Sequence, residues 1–384
     1  VQTLHPVLKH GGLFSDWEML PRELFAERLA RLQAAIAAAG DDAWLIYGDA
    51  QRYGDIAWIS HFVPRLRSVV VLVPRAGQPC LLASIGSRDV PASKILTWFD
   101  ELRPYTRLPG EVINVIRERG LDRATVGVVG TRASLPVAEW TIIADGLPGV
   151  TWIERDAPYA TLRATKDAAE DAGMRRAADA VALGLGEAAR AFRPGITVRE
   201  ATSPVDRAVR YAAAEDVRIL VATGADAGHA LAPSNLRMLA PGDVVQLFIG
   251  AEVQRYWAEG ACTLALGDMD AATFDLKRLA ERALAAMIAA VTGGARAADV
   301  AAAAEHVLGP RLSAGAAAYG FGHGIGLDAD ERPSIRRDSA DTIPADGALA
   351  LHVVLHDGGT GAIAGTTLLV RDGRASDLLA AVHA

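Results

Sequence analysis

The residues best suited to chemistry lie in one stretch, residues 319–333, which reads Tyr-Gly-Phe-Gly-His-Gly-Ile-Gly-Leu-Asp-Ala-Asp-Glu-Arg-Pro. Four glycines alternate around His323, and Asp328, Asp330 and Glu331 follow closely. Glycine at every second position lets the backbone pass close to a neighbour and take positive φ where needed. An imidazole in so bare a channel suits a metal ligand or an acid/base. The alternative is a glycine-rich turn around a hydrogen-bonded structural histidine. Asp328, Glu331 and Arg332 read as structural ion pairs.

The chain that positions this stretch has 384 residues, enough for two domains that each bury a core. Hydrophobic residues make 51% and charged residues 22%, a globular, soluble composition. A net charge of -7 argues against a nucleic-acid partner, which would call for clustered Lys and Arg. Cys80 and Cys262 are far apart and form no metal-binding or redox pair, which fits a reducing cytoplasm. No apolar run is long enough for a membrane span, and the first twenty residues lack the pattern of an export signal.

Residues 1–20 read as an extended arm. Apolar positions at helical spacing predict a helix over Pro21–Ala39, ended by Gly40-Asp41-Asp42. Strands are expected at Ala43–Tyr47, Ser68–Pro74, Pro79–Ser84 and Thr125–Val129, and helices at Gly110–Arg119 and Leu135–Ala144. This alternation describes an α/β domain with a supporting or dimerising role. Further on, a long helix capped by Thr165 and closed by Phe192-Arg-Pro-Gly195 is expected, then a helix over Val198–Ala214. Strands follow at Arg218–Ala222, Val244–Ile249 and Glu252–Trp257, then helices at Ala271–Val291 and Ala297–Leu308. The strands Gly347–His356 and Ile363–Arg371 complete the reading.

The Gly-His-Gly-Ile-Gly-Leu segment resembles that of the pita-bread family, peptidase M24. This family includes Xaa-Pro aminopeptidases, prolidases, methionine aminopeptidases and creatinase. Leu162-Arg163-Ala-Thr-Lys166 with Glu170 resembles the entry into the catalytic domain of the prolidase and creatinase branch, and the segment Pro241–Thr263 matches the family's metal-bearing strand pair without a gap. The resemblance implies an α+β pita-bread catalytic domain over residues 159–384, preceded by a creatinase-type α/β N-terminal domain over residues 1–158. It also implies a homodimer.

The family holds two divalent metals with carboxylates and one histidine. Carried onto this chain, the ligand positions are Phe248, Glu259, His323, His352 and Gly365. Phe248 and Gly365 remove the first metal site. Glu259, His323 and His352 remain as candidate ligands of a single Zn, Mn or Fe ion. They are equally candidate metal-free acid/base groups, since creatinase resembles this chain in lacking the ligands. The creatine pocket itself is not implied, because that enzyme's Glu-Arg-Thr-Leu is here Ala261-Cys-Thr-Leu. His229 lies near the family's substrate-side histidine, and Asp330 stands where metallopeptidases place a second histidine. His356 is read as pocket-lining, and Phe248 and Trp257 as an aromatic wall for a small, partly apolar or cationic substrate.

The expected activity is hydrolysis or lysis of a C–N or similar bond in a small polar molecule, without aminopeptidase activity. The catalytic set is His229, Glu259, His323 and His352, with Phe248, Trp257, Asp330 and His356 on the substrate. The alternatives are a mononuclear metal enzyme, either a hydrolase or an Fe(II) oxygenase, and a non-catalytic binding protein. A small molecule is the expected partner, with neither nucleic acid nor membrane.

Overall fold

The computed structural model describes residues 14–64, 67–224, 231–312, 320–357 and 359–383. Contacts divide the chain into two compact units, one ending at Arg163 and the other beginning at Ala164. The boundary expected after residue 158 lies inside the helix Asp156–Ala164.

The first unit is built on a six-stranded sheet of β1 (Ala43–Asp49), β2 (Ser68–Pro74), β3 (Cys80–Ala83), β4 (Glu101–Pro104), β5 (Thr125–Val129) and β6 (Thr151–Glu154). Its order is β4-β3-β2-β1-β5-β6. The β1/β2 and β2/β3 pairs are antiparallel, and β1/β5, β5/β6 and β3/β4 are parallel. Parallel strands need crossovers, supplied for β5 by α2 (Leu108–Glu118), with α1 (Arg22–Ala38) earlier in the chain. Every residue of β2 but Pro74 is buried, as expected of a central strand covered on both faces.

The second unit carries the site. Its nine-stranded sheet is formed by β7 (Asp216–Thr223), β8 (Ala232–Pro233), β9 (Val244–Val253), β10 (Tyr256–Ala265), β11 (Gly322–Gly324), β12 (Glu331–Ser334), β13 (Gly347–Asp357), β14 (Thr360–Arg371) and β15 (Arg374–Asp377). The order is β12-β11-β13-β14-β10-β9-β7-β8, with β15 on β14, and every pair is antiparallel. Four helices supply the covering layer: α3 (Ala168–Ala191), α4 (Val198–Tyr211), α5 (Ala271–Ala290) and α6 (Ala297–Leu308).

The two-residue period of the strands decides which side chains face the helices. Val245, Leu247, Ile249 and Ala251 of β9 join Val181, Leu185 and Val205 of α3 and α4 in one core. Leu349, Leu351, Val353 and Leu355 of β13 join Leu276, Met287 and Val300 of α5 and α6 in a second. The alternate residues of the same strands face the other side of the sheet, which the helices leave open.

Two expectations are corrected. The long helix is capped by Asp167 rather than Thr165: the Asp167 carboxylate accepts from Ala169 N and Glu170 N, and Glu170 accepts from Asp167 N in return. The second strand of the central hairpin is Tyr256–Ala265, not Glu252–Trp257, because the chain turns at Gln254 and Arg255. Both turn residues have positive φ, 49° and 72°, without being glycine. A buried ion pair between Arg255 Nη1 and Glu215 Oε1 at 2.9 Å holds the turn, and Arg255 N also donates to Glu215.

Candidate active site

The open face of the sheet gathers the candidate residues in two adjacent rows. In one, His323 pairs with Ala350, Ala350 with Thr367, Glu259 with Gly250, and Gly250 with Arg218. Thr367 joins the halves of this row through its hydroxyl, which accepts from Glu259 N and donates to Glu259 O, both at 2.8 Å. In the other row, His352 pairs with Gly365, Gly365 with Ala261, Ala261 with Phe248, and Phe248 with Leu220. Ala350, Thr367, Glu259, Gly250 and Arg218 each lie two positions from His352, Gly365, Ala261, Phe248 and Leu220 in turn, so the side chains of both rows share a face.

His323 Nε2 lies 3.7 Å from Glu259 Oε2, with the side chains 20% and 13% exposed. That gap is too long for a hydrogen bond. On its other side His323 Nδ1 is 2.9 Å from Gly324 O. A carbonyl only accepts, so Nδ1 carries a proton and Nε2 is the nitrogen turned to the carboxyl. Burial pushes the Glu259 carboxyl up to about 7, against the opposing fields of His323 and Arg218 and with some help from Asp330. Burial, and then His323, push the His352 imidazole down to about 3, so His352 is neutral near pH 7. Its ring centroid is 6.0 Å from that of His323.

The glycines of the His323 stretch are there for space. A Cβ on Gly324 would fall 2.1 Å from Arg332 O, and Gly322, at φ 145°, would place one 2.2 Å from Ala350 O. The loop beyond is pinned by Lys166 Nζ to Glu331 Oε2 at 2.7 Å, a pair almost closed to solvent, and by Asp328 N donating to Glu331 Oε1. Trp257 N donates to Gly326 O at 2.8 Å, which ties the same loop to β10. Arg332 pairs with Asp341.

Trp257 is buried and Phe248 partly so, and both rings border the gap over Gly250, where a Cβ would lie 3.6 Å from Phe248 Cε1 and 3.7 Å from Trp257 Cζ3. Asp330 is exposed and close enough to be felt by Glu259. His356 is not brought to the cluster: it lies within β13, about 13 Å along the strand from His352, with Nδ1 3.0 Å from Thr360 O. His229 lies outside the described residues. Sequence reasoning missed Thr367 and Arg218. The signal for Arg218 was a lone cation at an alternating position of an otherwise apolar strand, Val217-Arg-Ile-Leu-Val221.

The donor set does not fit the family's metals. Phe248 and Gly365 supply no donor, and a Cβ on Gly365 would meet Leu351 O and Ala261 Cβ, each at 3.2 Å, so the room for a carboxylate there is tight. Among the described residues no three His, Cys, Asp or Glu side chains group so as to hold an ion. Glu259, His323 and His352, the candidate ligands of one Zn, Mn or Fe ion, form no such group in this geometry. His352 belongs to the neighbouring row, about 7 Å along the sheet from the row of Glu259 and His323.

Comparison with known proteins agrees with this architecture. The profile of metallopeptidase family M24 matches residues 172–372, and that of the creatinase/prolidase N-terminal domain matches residues 28–165. The X-Pro aminopeptidase of Thermotoga maritima superposes with a TM-score of 0.81 at 19% identity, covering 91% of this chain and 96% of that one. A dipeptidase from Mycobacterium ulcerans gives 0.80 at 23% identity, covering 93% and 96%. The prolidase of Pyrococcus horikoshii gives 0.77 at 16%, covering 92% and 98%. At these identities the likeness establishes the fold alone. No curated protein sequence matches the chain. Among the described residues no helix is long and apolar enough to cross a membrane.

Proposed function

This chain belongs to metallopeptidase family M24, with a creatinase/prolidase N-terminal domain ahead of the catalytic one, and from that premise we propose a creatinase-like, non-peptidase hydrolase. It acts on a C–N or similar bond of a small polar molecule through Glu259 and His323. The observation that carries the proposal is the pair itself: a carboxyl held near pH 7 facing a singly committed imidazole across 3.7 Å, on a face whose metal positions are Phe248 and Gly365.

The roles follow from the protonation states. Near pH 7 Glu259 is present in both forms, the condition for a general base that must also release its proton. It takes a proton from water as the oxygen attacks the substrate carbon. His323, with Nδ1–H engaged by Gly324 O, receives that proton from Glu259 at Nε2 and passes it to the departing nitrogen as the C–N bond breaks. His352 stays neutral and serves as a polar wall rather than a proton donor. The 3.7 Å gap is bridged by the reacting atoms, since catalytic hydrogen bonds are often long before substrate binds. His229 and Asp330 are assigned to the substrate side. The chain is further proposed to be a cytoplasmic homodimer that takes a small-molecule substrate, with neither nucleic acid nor membrane as a partner.

The test is turnover by purified protein on small amides, ureas and guanidines, beside Xaa-Pro dipeptides, with and without chelator. Turnover of a non-peptide substrate is expected, unaffected by EDTA and reduced about a hundredfold or more by Glu259→Gln. Chelator-sensitive cleavage of a dipeptide overturns the proposal. So does activity that needs about one bound metal per chain and is lost with it.

A further inference from the structure

Arg218 enters the open face from β7, at the far end of the row that contains Glu259. Its guanidinium lies over the ring of Trp257, 4.3 Å from the centroid. Trp257 is 1% exposed and so cannot move away, which gives the guanidinium a fixed plane to lie on. The contact biases the side chain's orientation. Only one face of the guanidinium is used in this way; the edges that carry the N–H groups stay accessible, with the side chain 54% exposed. The ion pair described for Arg218 is with Asp216 at 3.8 Å, and both groups are more than a third exposed. A pair of that kind contributes little and competes weakly with a ligand.

Nothing stands between Arg218 and Glu259 within the row. The residue opposite both is Gly250, so the floor of the gap is bare backbone, walled by Phe248 and Trp257. Two strand spacings separate the Cα atoms of Arg218 and Glu259, about 10 Å. The two long side chains cover much of that span and leave an interval suited to a small molecule. The field of Arg218 does reach the Glu259 carboxyl, which it lowers against the effect of burial.

We propose that Arg218, backed by Trp257, is the anion-binding residue of this site, and that the ligand is a small carboxylate whose far end lies at Glu259 and His323. The planar fork binds the two carboxylate oxygens side by side, a geometry that a lysine ammonium does not reproduce. The bare Gly250 lets the body of the ligand lie on the sheet between the two aromatic rings. A cationic ligand, which the aromatic rings alone would favour, is opposed by Arg218. The inference rests on the hydrolase reading for its location, but concerns binding and not turnover.

The probes are N-carbamoylglycine and its uncharged amide, N-carbamoylglycinamide, titrated into the full-length protein by calorimetry. The wild type is expected to bind the acid about tenfold or more tightly than the amide. Arg218→Gln should weaken the acid about ten- to a hundredfold, leave the amide and the melting temperature unchanged, and so erase the preference. Arg218→Lys should restore only part of it. Equal binding of acid and amide, no binding of the acid, or an unchanged preference in Arg218→Gln overturns the proposal. Glu259→Gln keeps the two claims apart: retained preference for the acid without turnover of any substrate by the wild type leaves the anion site standing and removes the hydrolase.

Discussion

Replacing Glu259 by glutamine keeps the shape of the side chain and removes its titration. In the unfolded chain the carboxyl ionises near its ordinary 4.5, whereas in the fold it holds its proton to about 7. Between those values the unfolded chain has released a proton that the native protein keeps, so Glu259 costs stability as pH rises. Its full contribution is present below about 4.5 and is lost as pH passes about 7. At about 1.4 kcal/mol per pKa unit the difference amounts to about 3 kcal/mol at most, since the side chain is 13% exposed. His352 has the opposite sign: its pKa is depressed to about 3, so its contribution is present above 6.5 and lost as pH falls. Both slopes act in the wild type, but His352 is common to both proteins, so the difference between them isolates Glu259. Urea unfolding followed by tryptophan fluorescence, at intervals from about pH 4.5 to pH 8, gives that difference directly. Glu259→Gln should match the wild type at the acid end and gain up to about 3 kcal/mol on it at the alkaline end. A difference that stays flat within about 0.5 kcal/mol would show that the carboxyl is not held neutral by its surroundings, and the acid/base argument would fall with it.

Two further outcomes test how the site is held. Arg255→Met leaves the Glu215 carboxylate buried opposite an apolar side chain and should cost about 3–5 kcal/mol in chemical denaturation. The double change Arg255→Met with Glu215→Leu should recover most of that loss, and a single-variant cost under about 1 kcal/mol would mean that the hairpin turn does not depend on the pair. Gly324→Ala places a methyl 2.1 Å from Arg332 O, which the backbone must yield to accommodate. It should cost about 1–3 kcal/mol and shift the NMR resonances of the His323 ring, and an unshifted ring would refute the account of that glycine.

The sequence was most legible where one physical pattern dominated. Strand Thr125–Val129 and helix Ala297–Leu308 agree with the structure to the residue, because each is a clean apolar period between breakers. The turn at Gln254 and Arg255 was not legible, since two long polar residues at positive φ give no local turn signal and depend on Glu215, some forty positions earlier. The helix cap was misplaced for a related reason. Thr165 and Asp167 are both good caps in isolation, and what separates them is Glu170 closing the box on Asp167, together with Lys166 drawn to Glu331. At the site, the motif identified Glu259, His323 and His352 but not their distances. The motif records positions in the chain, while the two-row arrangement that sets His352 apart from the Glu259–His323 pair is a property of strand register. Arg218 was hidden in the same way. A single cation in an apolar strand marks an exposed face, and it becomes part of a site only once β7, β9 and β10 are in register and the residue between it and Glu259 proves to be Gly250. On the proposed reading, Phe248 and Gly365 in place of carboxylates and Arg218 across Gly250 from Glu259 act in the same direction. Each makes the face less suited to a metal ion and more suited to a negatively charged ligand.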